Sequence, residues 1–231
     1  MESTKKTIAV WFSCGAASAV AAKLTLDAYG DACNVRILYN PVIEEHPDNL
    51  RFLKDCESWF DTKIEWVYHP KHPHCSAAQI WDKRKYMAGI GGAPCTGLLK
   101  IEAREIWQQT NHVDYHVLGY TVEEFKTRSQ RFKGPILHVL ASLGLGKDDC
   151  FAFISRAGLV LPEMYRLGFD NANCIGCVKA NSAFYWWMVK KYFPDISLQR
   201  EQQSRAIGSQ PTQYTSRQFY LDEVIPCKSF A

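Results

Sequence analysis

The hydrophobic and polar positions of the first forty residues predict a strand, a helix and a second strand. An apolar run over residues 8–12 stops at Ser13, and an alanine-rich stretch that Gly30 ends follows a turn of small residues. Residues 34–40 are again apolar and β-branched, as in a buried strand. Because parallel strands need a right-handed crossover, this β-α-β unit predicts a parallel sheet. Ligands of such sheets bind beyond the carboxyl ends of the strands, where Ser13 and Asn40 would lie.

The rest of the chain continues the alternation of helices and strands. The pattern predicts strands at residues 63–68 and 114–119, and helices over about 47–60, 95–109, 147–157 and 181–192. The last twenty-odd residues are polar and predict a loop-like tail. This order favours an α/β fold.

The turn between the first strand and helix has the composition of an anion site. It reads Ser13-Cys14-Gly15-Ala16-Ala17-Ser18, with no bulky side chain to block a phosphate. The first N–H groups of a helix are unpaired and the helix dipole favours an anion there. Serine hydroxyls can donate to phosphate oxygens, and glycine lets the backbone approach closely. The alternative is that the small residues only allow close packing.

Composition restricts the classes of protein to consider. With 231 residues and 47% hydrophobic composition, the chain can bury a substantial core, and one compact domain is expected. The segment Met1–Lys6 is polar and charged, and the longest apolar runs are too short to cross a bilayer. We therefore expect a cytoplasmic protein without a membrane partner. The net charge of +3 tolerates a nucleotide or nucleic-acid partner and predicts neither.

Nine cysteines, an odd number, favour thiols or metal ligands over a disulfide framework. Cys174 and Cys177 form a C-x-x-C turn late in the chain, where metal ligation is favoured over dithiol exchange. A third thiolate is then needed. Cys95 is the best candidate because it opens a predicted helix, where the dipole lowers a thiol pKa.

The turn at Ser13–Ser18 resembles the Ser-Gly-Gly-x-Asp-Ser loop of the ATP-pyrophosphatase (PP-loop) superfamily. Two positions depart from it, since Cys14 replaces the first glycine and Ala17 replaces the aspartate. The resemblance implies that the turn binds ATP or another adenine nucleotide, with Mg²⁺ in the family's usual arrangement. Asn40 could also touch the nucleotide, although the pair Asn40-Pro41 also suits a simple turn.

A second resemblance concerns the cysteines. The segment from Cys95 through Thr96 to Lys100 is similar to the Cys-Cys-x-x-Arg-Lys motif of assimilatory adenylyl-sulfate reductases, whose later C-x-x-C completes a [4Fe–4S] site. It implies the metal ligands Cys95, Cys174 and Cys177, since Thr96 stands at the position of the second cysteine. A structural zinc, or no metal, is the alternative.

Together these resemblances identify the chain as similar to the PAPS-reductase-like branch of the PP-loop (adenine nucleotide alpha hydrolase-like) proteins. They imply a Rossmann-like (HUP/PP-loop) parallel sheet with helices on both faces. On this basis residues 1–140 form the nucleotide-binding core. Residues 141–231 form a C-terminal helical segment with the C-x-x-C loop and the tail.

The family also suggests catalytic residues. Its reductases carry Gly-x-Arg after the fourth strand, whereas this chain has Gly119-Tyr120-Thr121, so Arg128 is the nearest substitute. Their nucleophilic cysteine lies in the tail, where Cys227 occupies a comparable place. With Lys100 from the cysteine motif, the candidate catalytic residues are Cys227, Lys100 and Arg128.

Three functions follow as hypotheses. The first is iron–sulfur-assisted sulfur transfer to a nucleotide, nucleobase or nucleic acid, since three cysteine ligands leave one iron open and such an iron is thought to carry sulfur in related tRNA thiolases. The second is an APS/PAPS reductase that releases sulfite. The third is a non-catalytic nucleotide-sensing module of a larger complex. The sequence leaves open the sulfur or electron donor and whether the chain forms a homo-oligomer.

Overall fold

Four parallel strands form the predicted sheet. The computed structural model describes residues 5–89, 91–210, 212–214 and 217–220, with the backbone alone at 212–214 and 217–219. The sheet order is β3-β2-β1-β4, with strands β1 (Thr7–Phe12), β2 (Asn34–Tyr39), β3 (Glu65–Trp66) and β4 (Tyr115–Leu118). In the register, Thr7 lies opposite Asn34 and Ile8 opposite Tyr115. This confirms the parallel α/β architecture.

The helices follow the strands in the expected order. They are α1 (Ala16–Tyr29), α2 (Asp48–Phe60), α3 (Ala77–Arg84), α4 (Pro94–Thr96), α5 (Ala103–Gln108), α6 (Val122–Arg128), α7 (Val139–Ser142), α8 (Lys147–Arg156), α9 (Glu163–Arg166), α10 (Ala183–Tyr192) and α11 (Pro194–Ile207). A π-helical stretch, Gly97–Glu102, joins α4 to α5, and a 3₁₀ turn, Ser129–Arg131, follows α6.

Helices cover both faces of the sheet because the strand residues alternate in direction. On one face, Val10 and Phe12 of β1 pack in a core with Ala19 of α1 and Ile154 of α8. On the other, Ala9 packs in a smaller cluster that includes Trp107 of α5. Helices on both faces are what the family resemblance implies.

Among the described helices of eight or more residues, α3 and α11 were not expected. Helix α3 lies in a proline-flanked stretch that reads as a loop, and it begins where the Ser76 hydroxyl accepts from the Gln79 N–H (3.2 Å). The Glu44 carboxylate also accepts from the N–H groups of Ala77 and Ala78, at 2.9 and 3.0 Å. Helix α11 begins at Pro194, a favoured first position of a helix. Helix α3 thus begins with hydrogen bonds to Ser76 and to the distant Glu44, and α11 begins with a proline and no side-chain cap.

The described chain divides into two compact units that are interleaved along the sequence. The sheet unit comprises the chain up to Pro41, Pro47–Val67 and Arg104–Ala172. The cysteine unit comprises Val42–His46, Tyr68–Ala103 and the chain from Asn173 on. This division differs from the expected boundary at residue 140, because the segment 141–172 includes α8, which packs on α1 in the core of the sheet unit.

The tail differs from the expected loop. Strands β5 (Thr212–Tyr214) and β6 (Arg217–Phe219) pair antiparallel, with Thr212 opposite Phe219. Their polar composition conceals the strands from a hydrophobic pattern. Among the described residues, no helix is long and apolar enough to cross a membrane.

Candidate functional site

The Ser13–Ser18 turn lies at the carboxyl end of β1 and leads into α1, as the β-α-β pattern predicts. Cys14 is fully buried and adopts a φ of 55°, in the left-handed region. Glycine is favoured at such a φ because it has no Cβ. The resembled loop has glycine here, so Cys14 occupies a strained backbone position with an ordinary side chain.

Gly119, directly after β4, packs against the backbone of this turn. A Cβ added at Gly119 would lie 2.6 Å from the Ser18 nitrogen and 2.8 Å from the Ala17 carbonyl carbon. Such distances are shorter than any real Cβ contact, and backbone atoms cannot move aside as a flexible side chain can. Gly119 therefore lets β4 end directly against the first turn of α1.

Hydroxyl groups hold the turn together. The Ser18 hydroxyl accepts from the Ser13 N–H (3.1 Å) and Ser13 hydroxyl (3.2 Å), and it donates to the Gly15 carbonyl (2.9 Å). The hydroxyls that we expected to donate to phosphate thus bond within the turn. The first-turn N–H groups of Ala17 and Ser18 have no acceptor inside the helix and are the donors best suited to an anion.

Tyr165, from the short helix α9, completes the turn, and no sequence motif indicated it. Its hydroxyl accepts from the Ala16 N–H at 3.3 Å and would lie 3.1 Å from a Cβ at Gly15. A larger side chain at Gly15 would therefore press on Tyr165. The two residues are 150 positions apart along the chain, a separation that no local pattern bridges.

Asn40 follows β2, which is paired with β1, so it lies at the same sheet edge as Ser13. Its side-chain amide donates to the Val67 carbonyl at 3.0 Å and is buried. In this structure Asn40 ties the end of β2 to the chain that follows β3. A contact with nucleotide stays a prediction.

Arg128 is already paired. Its guanidinium lies 3.0 Å from the Glu124 carboxylate, one helical turn away, and 55% of the side chain is exposed.

Arg104 is a second cation that the sequence reading missed, because it lies inside a predicted helix. Its guanidinium stacks 4.2 Å from the ring of Phe132, and its buried Nε has no hydrogen-bond partner. Burial raises the pKa of Tyr120, and both arginines oppose that rise.

The cysteine unit contains Cys95, Cys174 and Cys177. Cys95 lies in α4, and Cys174 forms an isolated β-bridge with Glu45. Tyr185 of α10 fixes the C-x-x-C turn, since its hydroxyl accepts from the Cys177 N–H (2.8 Å) and donates to the Cys174 carbonyl (3.2 Å). The C-x-x-C turn is thus fixed through its backbone, and its sulfurs are not needed for these hydrogen bonds.

The three thiols influence one another electrostatically. Burial raises the pKa of Cys174 well above its ordinary value; Glu45, Cys177 and Cys95 raise it further, and Lys100 opposes them. Burial also raises the pKa of Cys95, so the expected lowering by the helix start is wrong for the unliganded chain. Cys95 and Cys174 come from distant stretches of sequence, and both pack against the apolar cluster that includes Trp81.

Lys100 is the cation of this neighbourhood. Its ammonium lies 3.3 Å from the Glu45 carboxylate, whose side chain is only 5% exposed. Burial alone would lower the pKa of Lys100, but Glu45 and then Cys174 outweigh burial and raise it. Lys100 is therefore a charged group beside the thiols, as the motif resemblance implies. Glu45 is a member that no motif indicated.

Two buried N–H groups lie near the thiols, and one of them lacks an acceptor. The Trp81 indole N–H has no hydrogen bond of good geometry, yet it lies beside the Cys95 sulfur and opposes the rise of its pKa. The Nε of Arg200 is without a partner, and its guanidinium stacks 4.9 Å from the Trp81 ring. An unsatisfied buried donor costs free energy, so an anionic acceptor at this place would be stabilised.

Comparison with known proteins supports the fold. No family model matches the sequence, and no curated protein matches it. The crystal structure of phosphoadenylyl-sulfate (PAPS) reductase from Candida auris, in complex with phosphate, is similar with a TM-score of 0.51. The match has 12% identity and covers 72% of this chain and 80% of that chain. The chain has a PAPS-reductase-like fold.

Within this PAPS-reductase-like fold, the Rossmann-like sheet expected from the PP-loop resemblance is confirmed. At 12% identity the likeness concerns the fold alone. The reaction, the cofactor and the site residues have to be argued from the chain's own side chains.

The side chains near the three thiols determine whether an iron–sulfur cluster fits the cysteine unit. Among the described residues, no three His, Cys, Asp or Glu side chains are arranged to hold a metal ion. The chemistry of the set nevertheless fits a thiolate-held cluster, because Cys95 and Cys174 of the C-x-x-C turn pack against one apolar cluster, and a lysine and the unsatisfied Nε of Arg200 belong to the same unit. Cys227 lies outside the described residues.

Proposed function

We propose that this chain is an enzyme that binds an adenine nucleotide at Ser13–Ser18 and transfers sulfur to a nucleotide, nucleobase or nucleic acid. In this proposal Cys95, Cys174 and Cys177 hold a [4Fe–4S] cluster, and a structural zinc is the alternative. The observation that carries it is geometric: Cys95 and Cys174 pack against one apolar cluster, Tyr185 fixes the C-x-x-C turn, and Lys100 lies 3.3 Å from the Glu45 carboxylate.

Each group has a defined task in the proposal. The free N–H groups at the start of α1 would bind the phosphates of ATP, and the substrate oxygen would be activated by adenylation with release of pyrophosphate. Sulfur from a sulfide-class donor would then replace the AMP. When bound, the cluster supplies iron that can hold sulfur. Lys100 balances the negative charge of the thiolates, and Trp81 and Arg200 supply hydrogen bonds to sulfur.

The absence of a carboxylate in the turn affects the metal that accompanies ATP. Ala17 stands where the resembled loop has aspartate, so Mg²⁺ would be held by the phosphates and water rather than by this position. The proposal therefore places more weight on the backbone N–H donors than the family pattern does.

A sulfonucleotide reductase is the second candidate. The likeness to a phosphate-bound PAPS reductase favours it, with Cys227 as nucleophile and sulfite as product. Thr121, at the position of the family arginine, is only 4% exposed and carries no charge, and this weakens the reductase alternative. A non-catalytic nucleotide-sensing module would leave the cysteine set without a task.

One anaerobic experiment separates these functions. Protein is incubated either with ATP, sulfide and RNA or DNA, or with adenylyl sulfate and a thiol donor. Pyrophosphate, thionucleosides and sulfite are measured separately. We expect thionucleosides and pyrophosphate. Cys177→Ser should abolish the thionucleosides, and Cys33→Ser, which changes a thiol of the sheet unit, should retain both products. Sulfite alone supports the reductase, and nucleotide binding without any product supports the sensing module.

A further inference from the structure

Helix α10 lies in a stretch with an unusual combination of residue types. Residues 178–194 contain six aromatic side chains and three lysines, and no aspartate or glutamate. The cysteine unit as a whole has 12 Lys and Arg against 8 Asp and Glu, whereas the sheet unit has 15 against 16. The positive charge of the chain therefore belongs to the cysteine unit, and α10 carries part of it without opposing carboxylates.

The inner side of α10 is used for structure. Trp186 is 2% exposed, and its indole N–H donates to the Ala180 carbonyl at 2.8 Å. Tyr185 holds the C-x-x-C turn through its hydroxyl. These two residues fix the helix against the segment that carries Cys174 and Cys177. Anything bound to the other side of α10 would be bound to the helix that positions the thiols.

The outer side forms what we name the aromatic face: Phe184, Trp187, Lys191 and Tyr192. Phe184 is 43% exposed and Tyr192 is 37% exposed. The rings of Phe184 and Trp187 are stacked, with centroids 5.8 Å apart and an interplanar angle of 23°. The Lys191 ammonium lies 5.1 Å from the Trp187 ring and 5.0 Å from the Tyr192 ring. Aromatic planes and a cation are thus ordered side by side.

We propose that the aromatic face binds single-stranded nucleic acid. Bases stack on the exposed aromatic rings, and the ammonium groups of Lys190 and Lys191 contact the phosphates. Charge decides in favour of a polyanion, because the stretch has three lysines and no carboxylate to repel phosphate. Stacked rings are also suited to bases, since every base offers a planar π-face.

This inference rests on the proposed function, because it assigns the nucleic-acid class of substrate to the sulfur-transfer reaction. Binding itself requires neither ATP nor the metal site. Strand binding can therefore be measured separately from catalysis. Loss of binding can be distinguished from loss of the sulfur-transfer reaction.

The test is fluorescence anisotropy of the full chain with a labelled 20-nucleotide poly-U or poly-dT strand, at two salt concentrations. We expect Phe184→Ala and Trp187→Ala each to weaken binding about 5- to 150-fold, the loss of one stacked base. Lys190→Gln combined with Lys191→Gln should reduce the salt dependence by about one to two phosphate contacts. Phe184→Tyr, which keeps a planar ring, should bind as the unmodified chain does.

Leu198→Ala is the matched control, because Leu198 is 52% exposed on α11 of the same unit and offers no ring. Melting curves of all variants check that folding is intact. Equal binding by Phe184→Ala and the unmodified chain, or an equal loss in Leu198→Ala, overturns the proposal. So does a chain that binds no strand and forms a dimer that Phe184→Ala dissociates, since the face would then be an interface between copies. A chain that binds the strand but forms no thionucleoside contradicts only the proposed reaction.

Discussion

In the Ser13–Ser18 turn, both serine hydroxyls have a partner within the turn, whereas in the cysteine site the buried Nε of Arg200 has none. The turn is shaped by packing and by backbone, with Gly119 against Ser18. The cysteine site is shaped by charges, with Lys100 between a carboxylate and thiols. The side chains of the first are satisfied within the turn, and only backbone N–H groups are left for a ligand. The second has a buried side-chain donor without an acceptor.

This difference sets what each region should be sensitive to. A region shaped by close packing is damaged by added atoms, and the damage appears in stability. A region with buried unsatisfied donors and protonated thiols gains stability when a metal or cluster replaces the protons. Substitutions in the turn should therefore change stability through steric clashes. Substitutions in the cysteine site should change it through loss of the bound metal or cluster.

The largest expected effect is loss of the metal. Anaerobically purified protein should contain about four irons per chain, as a [4Fe–4S] cluster requires. Removing them with a chelator should lower the free energy of unfolding by about 4 kcal/mol, the stabilisation from a ligand present at a thousandfold excess over its dissociation constant. Iron content and denaturant melts measure both quantities.

Cys177→Ser is the paired variant, and it should lose iron and no longer respond to the chelator. Stoichiometric zinc without iron would remove the sulfur-carrying role while keeping a ligand-dependent region. If the protein contains no metal and the chelator does not change its free energy of unfolding, the cysteine site does not depend on a ligand. The proposed difference between the two regions is then wrong.

The next effect concerns the turn. Gly119→Ala should lower the free energy of unfolding by about 3 kcal/mol, because its Cβ would lie 2.6 Å from a backbone nitrogen of Ser18. It should also weaken binding of ATP, measured by calorimetry. Gly97→Ala is the control, since a Cβ there has nothing within 4 Å and alanine is the better helix former. Equal stability of the two variants would show that the close contact is not formed.

The sequence could predict the turn far better than the cysteine site. Ser13, Gly15 and Ser18 are neighbours along the chain, and a strand-to-helix turn is a local pattern. The parallel sheet was also predictable, because the β-α-β order is a local pattern, whereas the helices on both faces were expected only from the family resemblance. Helix α3 was missed since its cap depends on Glu44, which is more than thirty positions away.

The cysteine site could be predicted only in its thiols. The C-x-x-C spacing and the resemblance around Cys95 pointed to three ligands, but Glu45 and Arg200 come from stretches without any motif. Their roles arise from charge and burial in the folded chain, which have no local signature. The expected lowering of the Cys95 pKa was wrong for the same reason, because burial outweighs the dipole of a three-residue helix.

Acid provides a third comparison, directed at the sheet unit. Burial and Arg104 lower the pKa of His116 to about 4. Its Nδ1 accepts from the Trp11 indole at 3.1 Å, a bond that protonation of this nitrogen breaks. An unfolded histidine has a pKa of about 6.5, so the unfolded chain binds more protons between that pH and about 4. Stability should fall as pH falls through this window, by about 2 kcal/mol at pH 5.

The measurement compares denaturant melts at pH 7 and pH 5. His116→Asn keeps an acceptor for the indole and should lose this pH-dependent part. His112→Asn is the control, because that side chain is 83% exposed and makes only a surface contact. If His116→Asn and the unmodified chain lose the same stability on acidification, the acid sensitivity belongs to other groups.

The smallest effect isolates the backbone strain of the turn. Cys14 is fully buried with a φ of 55°, where a Cβ costs about 1 kcal/mol and glycine has no such cost. Cys14→Gly should therefore be more stable than Cys14→Ala by about 1 kcal/mol. Both variants lose the thiol and its contacts. The difference between their free energies of unfolding therefore reports the backbone strain.

Cys150 supplies the opposite case, because it is equally buried but lies within α8, where the backbone is right-handed. There glycine should be less stable than alanine by about 1 kcal/mol. Opposite signs at the two cysteines would show that the turn stores strain at the position where the resembled loop has glycine. The same sign at both would mean that Cys14 does not hold the left-handed conformation, and the turn would then lose its likeness to the PP-loop at its most specific position.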